Sequence, residues 1–238
     1  MRNGLTWAVA AAVLVLGMSA RASAGQAQEP LEVSAHLQAP ANSKGGARNP
    51  PAVIWLTPVD GQPMPGPDMS HKYTLLQKNK EFSPHVLVVP VGAVVQFPNA
   101  DPFFHNVFSL FDGRRFDLGL YEAGSTREVT FGKQGVSYIF CNIHPEMSAV
   151  VIALSTPYFA VAEGHGIFKL QAPPGEYQMQ VWIQGVDVGE LKALSRRVSV
   201  SPGHTDLGAI SLVYPAAPPA PHTNKYGKPY DNKDSSVY

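Results

Sequence analysis

One stretch constrains this chain more than any other: Cys141-Asn142-Ile143-His144-Pro145-Glu146-Met147. It holds the only cysteine of the 238 residues. A histidine follows at the third position and a methionine three positions later. Thiolate, imidazole and thioether are the soft and borderline donors available to a protein. Apolar, strand-like sequence lies on both sides, at residues 136–140 and 149–154. The donors therefore belong to a short loop between two strands, where side chains converge on one point. A further imidazole, His105, stands upstream in Phe103-Phe104-His105-Asn106-Val107. The alternative for a lone thiol is an inert, buried small hydrophobe.

The N-terminus reads as an export signal. Arg2 is the basic end, residues 7–18 are the apolar run, and Ala22-Ser23-Ala24 is a small-x-small cleavage site, so the signal spans 1–24. An apolar run of about 12 residues is too short to cross a bilayer, which takes about 20. Cleavage removes Arg2 and Arg21 and leaves 16 basic and 18 acidic residues, a net charge of −2. That balance points to no nucleic-acid or anionic-membrane partner. No later stretch is long and apolar enough for a membrane span. The mature chain is expected to be periplasmic or otherwise exported, where a free thiol is open to oxidation unless something holds it.

Gly and Pro together number 43, which favours short strands and turns over a helical bundle. Residues 31–38 alternate apolar and polar, and residues 52–56 are a more buried strand. Between 72 and 156 about eight short strands follow one another with regular turn signals, the pattern of a β-sandwich. Residues 157–213 add further strands. Only 189–194 has room for a turn of helix. Residues 214–238 carry no core pattern and read as a disordered tail. The fold class is all-β: one sandwich at 72–156 and a second, small one.

Two histidines, a cysteine and a weak axial methionine are the donor set of a blue-copper electron-transfer site. His105, Cys141, His144 and Met147 are the candidate metal ligands, for one copper ion. Cys141 provides the thiolate, His105 and His144 complete a trigonal plane, and Met147 is the long axial donor. Apolar Phe104, Phe140 and Ile143 would keep water out.

The motif Cys-x-x-His-x-x-Met, with upstream His-Asn-Val after Phe97-Pro98-Asn99, resembles the cupredoxins. The short loop with Pro145 after the histidine is similar to the amicyanin type. The whole chain looks like the plastocyanin-like proteins called methylamine utilisation proteins. The resemblance covers residues 72–156. It implies a Greek-key sandwich and a type 1 copper centre. It also implies that Asn106 hydrogen-bonds across to the ligand loop and that His144 is partly exposed as the route for electrons. Glu146 departs from the amicyanin type, which has an aromatic residue there, so the partner at this face differs.

A second resemblance lies in Ile167-Phe168-Lys169-Leu170, Pro173-Pro174-Gly175-Glu176-Tyr177 and Met179-Gln180-Val181-Trp182. These are similar to the carboxypeptidase regulatory-like, carbohydrate-binding-like sandwich. Its first two strands would be 31–38 and 52–56. The expected organisation is a discontinuous sandwich, 31–70 plus 157–213, with the copper domain inserted. Contacts of Val53 or Trp55 with Tyr177 or Val181 would support it. A plain N-terminal extension is the alternative.

No nucleophilic triad, phosphate loop or two-carboxylate site is visible, so the chain is not expected to be an enzyme. The leading expectation is a single-electron carrier between redox proteins, such as a c-type cytochrome or a periplasmic dehydrogenase. Copper storage or delivery is the second, and non-catalytic binding through the accessory sandwich the third.

Overall fold

A computed structural model describes residues 29–38, 40, 49–59, 61, 63–110, 113–203, 205–213, 216–217 and 222–230. The expected export segment 1–24 lies outside them. Strands dominate, and among the described residues the helix is the short Val188–Leu194. Asp187 caps it, accepting from the N–H groups of Gly189 and Glu190. No helix among the described residues is long and apolar enough to cross a membrane.

Two pairs of sheets enclose two hydrophobic clusters. In the first pair, Leu31–Gln38 lies between Ile167–Ala172, antiparallel to it, and Thr205–Ser211, parallel to it. Val33, Ala35 and Leu37 point inward, as the alternation requires. The facing sheet runs Phe159–Gly164, Asn49–Pro58, Gly175–Ile183, Arg196–Val200. Pro50 and Pro51 fall at the start of their strand, where a missing N–H costs least. Val181 stands opposite Ile54, and Trp182 opposite Val53. Segments from either side of residues 73–154 thus share one sheet.

In the second pair, five strands lie in the order Val86–Pro90, Ser148–Leu154, Gly135–Cys141, His105–Ser109, Phe116–Tyr121. Thr126–Thr130, Val94–Pro98 and Tyr73–Thr74 form the smaller sheet. Val95, Phe97 and Val129 from the smaller sheet meet Val107, Ile139, Cys141 and Val151 from the larger one in a single core.

The unbroken apolar runs have a physical reason. Along Asn49–Pro58, Ala52, Ile54 and Leu56 face the first core, while Val53 and Trp55 face a third cluster. Along Ser148–Leu154, Ala149, Val151 and Ala153 face the second core, while Val150, Ile152 and Leu154 meet that same third cluster. Each strand is buried on both faces, so neither alternates. The third cluster is the junction of the two sandwiches, with Trp182 at 3% exposure. Polar groups there are matched. The Trp182 indole N–H donates to the Tyr138 hydroxyl at 3.3 Å, and His85 Nε2 lies 2.9 Å from Gln184 Oε1.

Trp182→Ala should therefore cost about 3–5 kcal/mol of unfolding free energy in urea, through the cavity it leaves. Trp182→Phe should cost less. A loss below about 1 kcal/mol for the alanine variant would show that the junction is not tightly packed.

Candidate metal centre

Register brings the donor residues together. Gly135–Cys141 and His105–Ser109 are antiparallel neighbours, with Cys141 opposite Val107. Side chains repeat every second residue, so His105 and Val107 share the inward face that Cys141 also occupies. The loop after Cys141 is closed by its own backbone. The Asn142 N–H donates to the Asn106 carbonyl at 2.8 Å, the Met147 N–H to the His144 carbonyl at 3.1 Å, and the Cys141 N–H to the Met147 carbonyl at 3.2 Å. These bonds tie the loop at both ends and to the strand that carries His105.

Three donor atoms meet at the end of the sandwich. Cys141 Sγ lies 3.6 Å from His105 Nδ1 and 3.5 Å from His144 Nδ1, and the two ring nitrogens are 3.2 Å apart. A point equidistant from all three lies about 2.0 Å from each, the length of a metal–imidazole bond and a few tenths of an ångström short of a metal–thiolate bond of about 2.3 Å. Among the described residues this is the group of His, Cys, Asp and Glu side chains placed to hold a metal ion. Two ring nitrogens this close need a proton or a cation between them, because facing lone pairs repel. His105 and Cys141 are wholly buried, and His144 is 2% exposed.

The electrostatics prepare the donors. Burial pushes the Cys141 thiol up, while the backbone N–H groups of Asn106, Ile143 and His144 pull it down without fully compensating. A cation bound there would supply the remaining stabilisation of the thiolate, and its uptake would release a proton. Burial holds His144 down at about 4, helped by electrostatic repulsion from protonated His105 at low pH and from Lys80, and opposed by Asp101 and Glu146. Burial lowers His105 too, against the Asp101 carboxylate, which favours its charged form. Both imidazoles are neutral near pH 7, as metal ligands must be.

Asp101 fixes which nitrogen of His105 faces the cluster. Its Oδ2 lies 2.9 Å from His105 Nε2, both side chains being buried. A carboxylate accepts, so Nε2 carries the proton and Nδ1 offers its lone pair inward. Asp101 also accepts from the backbone N–H groups of Asn79 and Lys80. Burial raises the Asp101 carboxyl, but these N–H groups and His105 outweigh it and leave it below its usual range. Asn99, 1% exposed, holds this segment in turn: its Oδ1 accepts from the Asp101 N–H, and its Nδ2 donates to the Phe103 carbonyl at 2.8 Å. The Phe103 ring lies 5.4 Å from both imidazoles, with the Lys80 ammonium 5.4 Å from its centroid.

The other residues singled out by sequence are placed as follows. Met147 is 1% exposed and lies in the same core cluster as Cys141. Asn106 reaches the ligand loop through its backbone carbonyl. Its side chain donates to Asp117 Oδ1 at 2.9 Å. His144 is buried, not partly exposed, because Phe103 packs against it. Glu146 is exposed at the loop tip. Sequence reasoning missed Asp101 and Phe103. The spacing of Asp101, four residues before His105, was the available signal for the first. It missed residues 222–230 as well, which lie against the ligand loop. Tyr230 donates its hydroxyl to the Cys141 carbonyl at 2.7 Å, and the Lys225 N–H donates to Asn142 Oδ1 at 2.8 Å.

No family model and no curated protein matches the sequence. Solved structures do. A purple cupredoxin from Nitrosopumilus maritimus is 24% identical, the match covering 35% of this chain and 100% of that one with a TM-score of 0.32. A copper-containing nitrite reductase from Thermus scotoductus SA-01 is 26% identical over 35% of this chain and 22% of its own, with a TM-score of 0.34. An amicyanin variant in its reduced Cu(I) form at pH 4 is 20% identical over 35% of this chain and 82% of its own, with a TM-score of 0.33.

Two outcomes follow. Both imidazoles titrate lower in the fold than in the unfolded chain, whose value is near 6.5. The unfolded state then binds more protons between about pH 6.5 and 4, so the metal-free fold loses stability as pH falls through that window. Urea midpoints measured at intervals between those values should decline; a flat profile would contradict buried neutral imidazoles. Asp101→Asn replaces one acceptor oxygen with a donor beside His105 Nε2. It should weaken metal binding by about 10- to 100-fold in a chelator competition.

Proposed function

We propose that this chain is an exported blue-copper protein that carries single electrons. The carrying observation is the cluster itself, a thiol and two imidazoles whose donor atoms ring a point at metal-bond distance. Thiolate with two imidazoles favours copper, and Met147 is our candidate for the weak axial ligand. Copper bound there supplies a one-electron couple, Cu(I)/Cu(II). The protein's part is to keep the donors in place as the charge changes. His105 is held through Asp101, Cys141 lies in a strand, and the loop from 142 to 147 is tied by backbone hydrogen bonds. Burial keeps water from the donors, which limits rearrangement during electron transfer.

We read the enclosure of the donors by Phe103 and the core, among the described residues, as favouring a carrier over an enzyme. It also disfavours a copper-delivery role, for which the site would have to open. We read the partners as redox proteins, such as a c-type cytochrome or a periplasmic dehydrogenase. We read the strands within 31–58 and 159–211 as a single accessory sandwich interrupted by the copper domain at 72–156. The pairing of Asn49–Pro58 with Gly175–Ile183 supports that division.

Titration of the metal-free protein with Cu(II) tests the reading. One equivalent should produce an intense thiolate-to-copper absorption that Cys141→Ser abolishes. A colourless complex, or an absorption that survives the substitution, would overturn it.

A further inference from the structure

Residues 222–230 make a compact turn of their own. Asn224 Oδ1 accepts from the N–H groups of Tyr226 and Lys228, at 3.0 and 3.1 Å. The Asn224 carbonyl accepts from the Gly227 N–H, and the Asn224 N–H donates to the Lys228 carbonyl. Gly227 takes the positive φ of 73° that this turn requires. A side-chain oxygen that engages the backbone two and four residues on gives a nine-residue segment a shape without a core.

That turn is docked on the metal centre by groups from both its ends. His222 lies on Phe140, with ring centroids 4.2 Å apart and planes at 31°. The Tyr230 hydroxyl has one proton, which goes to the Cys141 carbonyl at 2.7 Å. His222 Nδ1, 3.0 Å from the same hydroxyl oxygen, is then the donor to it. The backbone N–H of Lys225 holds Asn142 Oδ1. Its ammonium sits 2.8 Å from Asp117 Oδ2, and the other oxygen of that carboxylate holds Asn106 Nδ2. Asn106 follows His105, and Asn142 follows Cys141. One segment therefore grips the neighbours of two donors that lie on different strands.

We propose that residues 222–230 form a strap that positions the metal donors, Tyr230 acting through the Cys141 carbonyl and Lys225 through Asp117 and Asn106. Its positioning part rests on the copper reading above; its docking on the loop does not. The strap holds from outside what the three loop hydrogen bonds hold from within. A donor set that must keep its geometry through a change of metal charge gains from being held on both sides.

The test uses the full mature chain with Tyr230→Phe, Lys225→Met, the double variant, and Lys225→Arg. Hydrogen exchange in the metal-free protein should quicken about tenfold at the Asn142 and Met147 amides in the double variant, and not in the Gly175–Ile183 strand. With Cu(II) bound, the position of the thiolate-to-copper absorption and the reduction potential should shift in Tyr230→Phe and Lys225→Met. Lys225→Arg, which retains the charge facing Asp117, should restore both. Unchanged exchange at Asn142 and Met147, or an equal rise in the Gly175–Ile183 strand, overturns the strap. Faster loop exchange with an unmoved absorption and potential overturns its positioning role. If the parent protein develops no thiolate-to-copper absorption, the copper reading fails, the positioning role falls with it, and the exchange result still decides the docking.

Discussion

The metal centre is governed by the cost of burying three ionisable groups within 3.6 Å of one another. A thiol and two imidazoles in an apolar core are tolerated only if each polar atom has a partner. His105 Nε2 has Asp101, and Asp101 has the turn at Asn79 and Lys80. The backbone N–H groups of Asn106, Ile143 and His144 favour the charged form of the Cys141 sulfur. At the centre of the cluster the three donor atoms face only one another. The arrangement is held from the outside inward, and its centre is where a cation fits.

This satisfaction depends on the sheets being rigid. Ser148–Leu154 begins immediately after Met147, and its alternate residues belong to two different clusters. The loop that carries the candidate ligands is therefore anchored to a strand that is clamped between the core on the donor side and the junction with the other sandwich. Gly135–Cys141 enters the loop from the neighbouring strand, and Tyr138 reaches the junction through Trp182. The first pair of sheets thus braces the sheet that carries the donors.

Much of this was legible in one dimension. The all-β class follows from short apolar runs separated by Gly and Pro. The four candidate ligands follow from a spacing that few other chemistries use. Local sequence also shows that 52–56 and 149–154 are apolar on both faces. It does not show what covers the second face, because that surface comes from the other sandwich. Asp101 is an ordinary acidic residue in a polar loop until His105 is placed beside it. His144 belongs to a loop expected to face solvent, yet Phe103, far away in sequence, packs against it. Residues 222–230 offer no hydrophobic periodicity, since their order comes from an asparagine-centred turn and four side-chain contacts.

The sequence by itself determined which donor groups are on hand. Donor identity is a property of residues, and Cys141, His144 and Met147 are held close by chain connectivity alone. Tertiary structure decided everything that depends on distance between strands. It set the separation of His105 from the loop, the tautomer imposed by Asp101, the burial of His144 and the docking of the C-terminal segment. Local spacing limits which donors can meet, but burial and hydrogen-bond pairing are fixed by side chains brought together from distant parts of the chain.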